Sequence, residues 1–259
     1  LLDNIPIVEA GDYELVLRRE PSTSGTFTLV YGTRGVSSAL TAAQPTTYNK
    51  TQTNALLAVT PALYRFVGRQ GDAVNLVTLA GKTRIAPGIS LQDSAGKVLK
   101  SVTAGDSEAA ILGYVLPADG VYVAALAAPR TAAYSFLIQR RQDDFPTQPS
   151  GRILVSGANQ ENGLLPNVPI NYWTILGKAG QQVKLTLKPV NSPLLRLEIS
   201  IFAPDGSYLA GGNALKDGEE IKIDPFTLPS DGTYQIVVGR WLGAQGKSTG
   251  RYRITLENP

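Results

Sequence analysis

The chain has 259 residues, a formal charge of +3 and no histidine, cysteine or methionine. That inventory excludes Ser-His-Asp and Cys-His catalysis, the usual zinc sites, thiol redox chemistry and disulfides. Basic residues scattered among acidic ones leave little electrostatic footprint for a nucleic acid, and the longest smooth apolar run, Val121 to Ala128, is of strand length and too short to span a bilayer.

The amino-terminal segment opens on Leu1 with no basic, apolar, small-residue leader pattern, so it reads as a mature or internal piece. Residues 1–35 hold Glu9-Ala-Gly-Asp-Tyr13 and then the aromatic strand beginning at Phe27. These are read as the last two strands of a preceding or incomplete repeat. Two strands cannot bury a core alone. Either the chain is therefore expected to be the carboxyl end of a longer repeat protein, or this hairpin is expected to pair with another domain or a neighbouring subunit by strand addition, with Leu15, Leu17, Phe27 and Leu29 as its buried positions.

Residues 36–142 read as a first full repeat. Tyr64-Arg-Phe-Val-Gly68 leads to a glycine turn at Gly71 and the alternating strand Val74, Leu76, Thr78. Ile89-Ser-Leu and the turn Asp93-Ser-Ala-Gly follow, then Pro117-Ala-Asp-Gly-Val-Tyr122 and the aromatic strand at Tyr134. Alternation of period two marks half-buried strands, and Asp-Gly punctuation marks tight turns. The stretch Ala104 to Ala110 is too short and Gly-flanked for a helix. Arg140-Arg141 ends the last strand, where it is expected to cross the seam between repeats or pair with acidic neighbours.

Asp143 to Gly151 reads as a linker, and residues 143–259 as a second repeat. Tyr172-Trp-Thr-Ile-Leu-Gly177, Gly180, Val183-Lys-Leu-Thr-Leu187, Ile199-Ser-Ile, Pro204-Asp-Gly, Pro229-Ser-Asp-Gly-Thr-Tyr234 and Tyr252 repeat the first set at a spacing of about 110 residues. The predicted class is all-β, a tandem of antiparallel, jelly-roll-like β-sandwiches with an incomplete amino-terminal repeat.

Two features differ between the copies. Arg240-Trp241 opens a loop running through Lys247 to Gly250 that is longer than its counterparts. Arg240, Trp241 and Lys247 are therefore candidate interaction residues, with Trp241 read equally as a cover for the sandwich end. A glycosidase-type carboxylate pair, Asp106 with Glu108 or Glu219 with Glu220, is formally open, but the setting of these residues between strands predicts solvated loops. Gly211-Gly212 and Gly243 to Gly246 lack the ending of a phosphate cradle, and Asp119 and Asp231 read as turn residues with no ion. No catalytic, cofactor or metal residue is assigned.

The repeat resembles the bacterial pre-peptidase C-terminal domain, whose collagen-binding relatives share its fold. The resemblance lies in Tyr64 to Leu76 and Tyr172 to Leu185, in the turns Asp93 to Leu99 and Asp205 to Leu209, and in the Leu-Pro-x-Asp-Gly-x-Tyr motifs Leu116 to Tyr122 and Leu228 to Tyr234. It implies an extracytoplasmic, noncatalytic module that attaches, targets or assembles. The collagen-binding relatives hold calcium with acidic residues at the domain entrance. The comparable carboxylates here are Asp143, Asp144 and Glu161, too few and too scattered along the sequence to be assumed to converge on an ion. The expected function is structural assembly and protein–protein contact, with self-assembly included. The alternative is a targeting module of an extracellular hydrolase that holds a polysaccharide or matrix protein.

Overall fold

The computed structural model describes residues 38–57, 60–146 and 151–259. The expectations placed on residues 1–35, including Leu15, Leu17, Phe27 and Leu29, lie outside the described residues.

The first set of strands is β1 (Gln44–Pro45), β2 (Gln52–Leu56), β3 (Ala62–Gly68), β4 (Ala73–Ala80), β5 (Gly88–Gln92), β6 (Val98–Val102), β7 (Glu108–Val115), β8 (Gly120–Ala127) and β9 (Ala132–Arg140). They form a five-stranded sheet ordered β1-β3-β8-β5-β6 and a four-stranded sheet ordered β2-β9-β4-β7. The second set is β10 (Arg152–Ile153), β11 (Asn159–Leu164), β12 (Ile170–Gly177), β13 (Gln182–Val190), β14 (Leu197–Phe202), β15 (Tyr208–Asn213), β16 (Ile221–Thr227), β17 (Gly232–Arg240) and β18 (Gly250–Glu257). Their sheets run β10-β12-β17-β14-β15 and β11-β18-β13-β16, the same order strand for strand. Pairing is antiparallel except where β1 and β10 add in parallel to β3 and β12. The chain is a tandem of antiparallel β-sandwiches.

Each pair of sheets encloses its own core, because alternate residues of facing strands point into the gap between them. Tyr64, Phe66, Leu76, Leu91, Tyr122 and Phe136 fill the first, and Trp173, Leu185, Ile199, Tyr234, Ile236 and Tyr252 fill the second. The polar ends of the buried aromatics find one another. The Tyr64 and Tyr134 hydroxyls lie 2.9 Å apart, and Trp173 Nε1 donates to the Tyr252 hydroxyl at 2.8 Å, which in turn donates to Asn171 Oδ1 at 3.0 Å. Burial drives the Tyr134 and Tyr252 phenols well above their ordinary range, so both stay neutral.

The repeated motif has a physical basis. A Cβ on Gly68 would collide with Leu116 and crowd the Tyr122 ring, and one on Gly177 would collide with Leu228 and crowd Tyr234. Glycine here lets the leucine and tyrosine of the closing motif lie against the strand. Each tyrosine hydroxyl then donates to a carbonyl four residues back, Ala118 at 2.6 Å and Ser230 at 2.7 Å. Asp119 and Asp231 accept from the backbone N–H groups of Gln70 and Ala179, tying the closing turn to the distant glycine turn. Gly71 and Gly180 sit in those turns at φ of 84° and 81°, where a side chain would be strained.

A five-residue helix, α1 (Ser38–Ala42), precedes the first sandwich. Leu40 and Ala43 pack on Val121 and Val123, covering part of the outer face of the five-stranded sheet. Residues Arg141–Asp144 form a 3-10 turn between the sandwiches and Gly243–Gln245 a second one in the Trp241 loop.

Candidate functional site

On β14 the residues Leu197, Ile199 and Ile201 point into the core, so Glu198, Ser200 and Phe202 belong to the outer face of the sheet. That face would ordinarily meet water. Here all three are buried, because the end of the first sandwich and the Arg141–Asp144 turn lie across it. The seam between the sandwiches is therefore where charged side chains of two units meet out of solvent.

Two arginine–carboxylate pairs cross the seam. Arg196, just before β14, donates Nη1 to Glu108 Oε2 at 2.6 Å and Nη2 to Glu108 Oε1 at 2.7 Å, while its Nε donates to the Ala214 carbonyl at 2.8 Å. The fork geometry satisfies both carboxylate oxygens at once. Glu108 opens β7, so the expectation of a solvated loop for this residue is corrected: register puts it at the sheet end that faces the next sandwich. Asp106 stays exposed. Glu219 accepts from the N–H groups of Leu215 and Lys216 as a turn cap, and Glu220 pairs with Lys222 at the surface.

The second pair is Arg141 with Glu198, 3.3 Å apart and both almost fully enclosed. Arg141 Nη2 also donates to Asn213 Oδ1 at 2.8 Å. Burial pushes the Glu198 carboxyl up to about 7, against the downward pull of Arg141 and Arg196 and with a further upward push from Asp144. Burial likewise raises Asp144 to about 6, opposed by Arg141. The two alternatives expected for Arg140-Arg141 are divided between them: Arg141 crosses the seam, while Arg140 pairs with an acidic neighbour, donating Nε to Asp143 at 2.7 Å, and lies over the Tyr48 ring.

Aromatic side chains complete the seam. The Arg196 guanidinium lies 4.2 Å from the Trp241 ring centroid, close enough for a cation–π contact. Phe145, in the linker, meets Phe202 edge-on at 5.2 Å, and Phe202 meets Tyr208 in the same way. Trp241 is only 7% exposed. Of its two readings from sequence, the structure places it as cover at the sandwich end, with its face spent on Arg196 and little of it open to an outside ligand.

The long loop after Trp241 closes the arrangement. Arg240 is buried and donates to the carbonyls of Gly243, Leu165 and Pro166, pinning the loop to the turn between β11 and β12. Gln245 accepts from the Thr51 hydroxyl at 2.7 Å, so the loop reaches the first sandwich. Lys247 stays exposed. The candidate trio therefore splits: Trp241 lies in the seam on Arg196, Arg240 is buried within the second sandwich, and Lys247 is at the surface.

The carboxylates singled out by the calcium comparison are engaged by cations or half-buried. Asp143 holds Arg140 and accepts from Asn49, Asp144 is half-buried near Arg141, and Glu161 takes Arg251 and Arg253 at 2.8 and 2.7 Å. Among the described residues no three His, Cys, Asp or Glu side chains gather as metal ligands would. No helix among them is long and apolar enough to cross a membrane.

Sequence reasoning passed over Arg196 and Glu198, and it read Glu108 as a solvated loop residue. A signal was present: at an offset of about 110, Arg196 and Glu198 replace Ala86 and Gly88, charging a face that is small and uncharged in the first copy. On the first sandwich the corresponding surface is a shallow groove of about 400 Å3 with Gly88, Ser90, Ala125, Ala127 and Pro129 in its lining.

No family model and no curated protein matches the chain. Among solved structures it is similar to the pre-peptidase C-terminal domain of a collagenase from Bacillus anthracis, at 10% identity, over 43% of this chain and 99% of that one, with a TM-score of 0.34. It is similar to CorA of Methylomicrobium album BG8, described as a surface-associated copper-binding protein, at 14% identity, over 42% of this chain and 98% of that one, with a TM-score of 0.32. A tandem CBM22 pair of Paenibacillus barcinonensis Xyn10C matches at 11% identity, over 82% of this chain and 92% of that one, with a TM-score of 0.25. The pre-peptidase C-terminal domain, which the motifs resemble, is among these similar structures. At such identities the likeness is of fold alone.

Proposed function

We propose that this chain is a noncatalytic, extracytoplasmic module whose tandem sandwiches serve structural assembly and protein–protein contact. The observation that carries this reading is the seam, where the charged and aromatic side chains on the outer face of the second sandwich are committed to its neighbour. One sheet face of the second sandwich is already a contact surface for the first, and a chain without histidine or cysteine has few side chains suited to acid–base or nucleophilic work at neutral pH.

A second surface supports contact with a further protein. Ile153 of β10 lies beside Thr174 of β12 in parallel register at the edge of the five-stranded sheet, and by Ser156 the chain has crossed to bridge Leu256 of β18. Ile153, Val155 and Leu176 are each more than half exposed, aliphatic side chains carried on and just after this edge pair. Strand addition by residues 1–35, with Leu15, Leu17, Phe27 and Leu29 as its apolar positions, is the other arm of the same proposal. Its support is the alternation in the sequence.

Sedimentation velocity over a concentration series tests the reading. Association that weakens in Ile153→Lys/Leu176→Lys supports contact at this edge, and association that weakens in Leu17→Asp/Phe27→Asp supports strand addition. A chain that stays monomeric throughout, yet is retained on an immobilised polysaccharide, overturns the assembly reading in favour of substrate targeting.

A further inference from the structure

The seam holds more carboxylate than it firmly pairs. Arg196 gives both terminal nitrogens to Glu108, so the close cation for Glu198 is Arg141, and Asp144 faces the same arginine from within its own 3-10 turn. The Glu198–Arg141 contact is also poorly solvated. Glu198 Oε2 and Arg141 Nε are buried with no hydrogen-bond partner.

The groups around Glu198 can be named element by element. The turn brings Arg141 and Asp144, and its own strand brings Arg196. From β15 come Asn213, bonded to Arg141, and Tyr208, also near that arginine. From β17 comes Gly239, directly opposite in register. Burial pushes the Tyr208 phenol upward, away from neutrality, and an arginine stays charged throughout. Glu198 and Asp144 are therefore the groups of this set that change charge between mildly acidic and neutral pH.

We propose that the seam is an acid-tightened joint, in which protonation of the Glu198–Asp144 pair closes the two sandwiches on each other and loss of that proton loosens them. A neutral carboxyl is far cheaper to enclose than a carboxylate, and an ionised Glu198 short of partners draws water into the seam. The direction follows from linkage. Glu198 stands at about 7 in the closed seam against 4.5 for a glutamate in water, so it binds its proton more tightly when enclosed. Its contribution to closure is complete below about pH 4.5 and is lost as the pH rises through about 7. Between these limits the closed-to-open ratio falls by at most about tenfold per pH unit for one such group.

The full chain allows a clean test, because it contains no native cysteine. Ser94 and Asp224 are exposed, one on each sandwich, so Ser94→Cys/Asp224→Cys places one dye on each. The width of the interdye distance distribution is then read from about pH 5 to about pH 8, a range that brackets the expected titration. The joint predicts a narrow distribution at the acidic end that broadens with a midpoint between about 6 and about 7. Glu198→Gln keeps it narrow throughout, and Asp144→Asn moves the midpoint to lower pH. Equal widths at both ends, or an unchanged pH profile in Glu198→Gln, overturns the proposal. Carboxyl carbon NMR of the unaltered chain gives a readout that needs no variant: a glutamate carboxyl titrating near 7 is required, and its absence refutes the joint.

Discussion

At the scale of single residues, the seam depends on paired charges, and such pairs are unforgiving when one member is removed. Glu108→Ala leaves the Arg196 guanidinium partly enclosed without its carboxylate. A loss of about 1–3 kcal/mol in unfolding free energy is expected, because hydrogen bonds to charged groups contribute on that order. Denaturation in urea measures it, and a double-mutant cycle with Arg196→Met separates the pairwise part from each side chain's own packing. Trp241→Ala is expected to cost more than its burial alone predicts, since it removes the ring on which Arg196 rests. None of these pairings could be read from the sequence. Arg196 and Glu198 sit two apart in an apolar strand, which announces an outward face but not what covers it. Trp241 stood out by its loop, and only the fold shows that the loop bends inward over Arg196.

Elements were far more legible, because their determinants are local. The period-two alternation at Val74, Leu76 and Thr78, and at Val183, Leu185 and Leu187, marks β4 and β13, and the Asp-Gly motifs mark the starts of β8 and β17. The turn reading of Asp119 and Asp231 needed one refinement. Each aspartate accepts from a turn about 50 residues earlier in the chain, a long-range bond that no local pattern reveals. The α1 helix was missed because five residues carry too little pattern to signal one, and it is held in place by packing on Val121 and Val123. If the two closing motifs are physical equivalents, matched substitutions must have matched effects. Gly68→Ala and Gly177→Ala should each destabilise by about 1–3 kcal/mol through overpacking against Leu116 or Leu228. Tyr122→Phe and Tyr234→Phe should each lose about 1 kcal/mol with the corner hydrogen bond. Unfolding midpoints measured for the four variants check the equivalence, and a large effect in one copy with none in the other would argue against it.

For the whole molecule, identical strand order in both pairs of sheets means that one design has been used twice. The copies differ where they touch. The outer face that is small and uncharged on the first sandwich carries Arg196, Glu198 and Trp241 on the second, and those side chains take hold of the first. The repeat and the sandwich class were legible because matched turns and strands recur along the chain. The seam was not, because it joins the first residue of β7, a connecting turn and a late loop whose proximity only tertiary structure creates. Across this seam the two sandwiches form a mechanically coupled pair. Scanning calorimetry of the intact chain tests this most directly, at a mildly acidic pH where the joint is closed. Coupling predicts a single transition in the native chain that splits into two when Glu108→Ala and Trp241→Ala are combined. Two well-separated transitions in the native chain, unmoved by the double substitution, would contradict it.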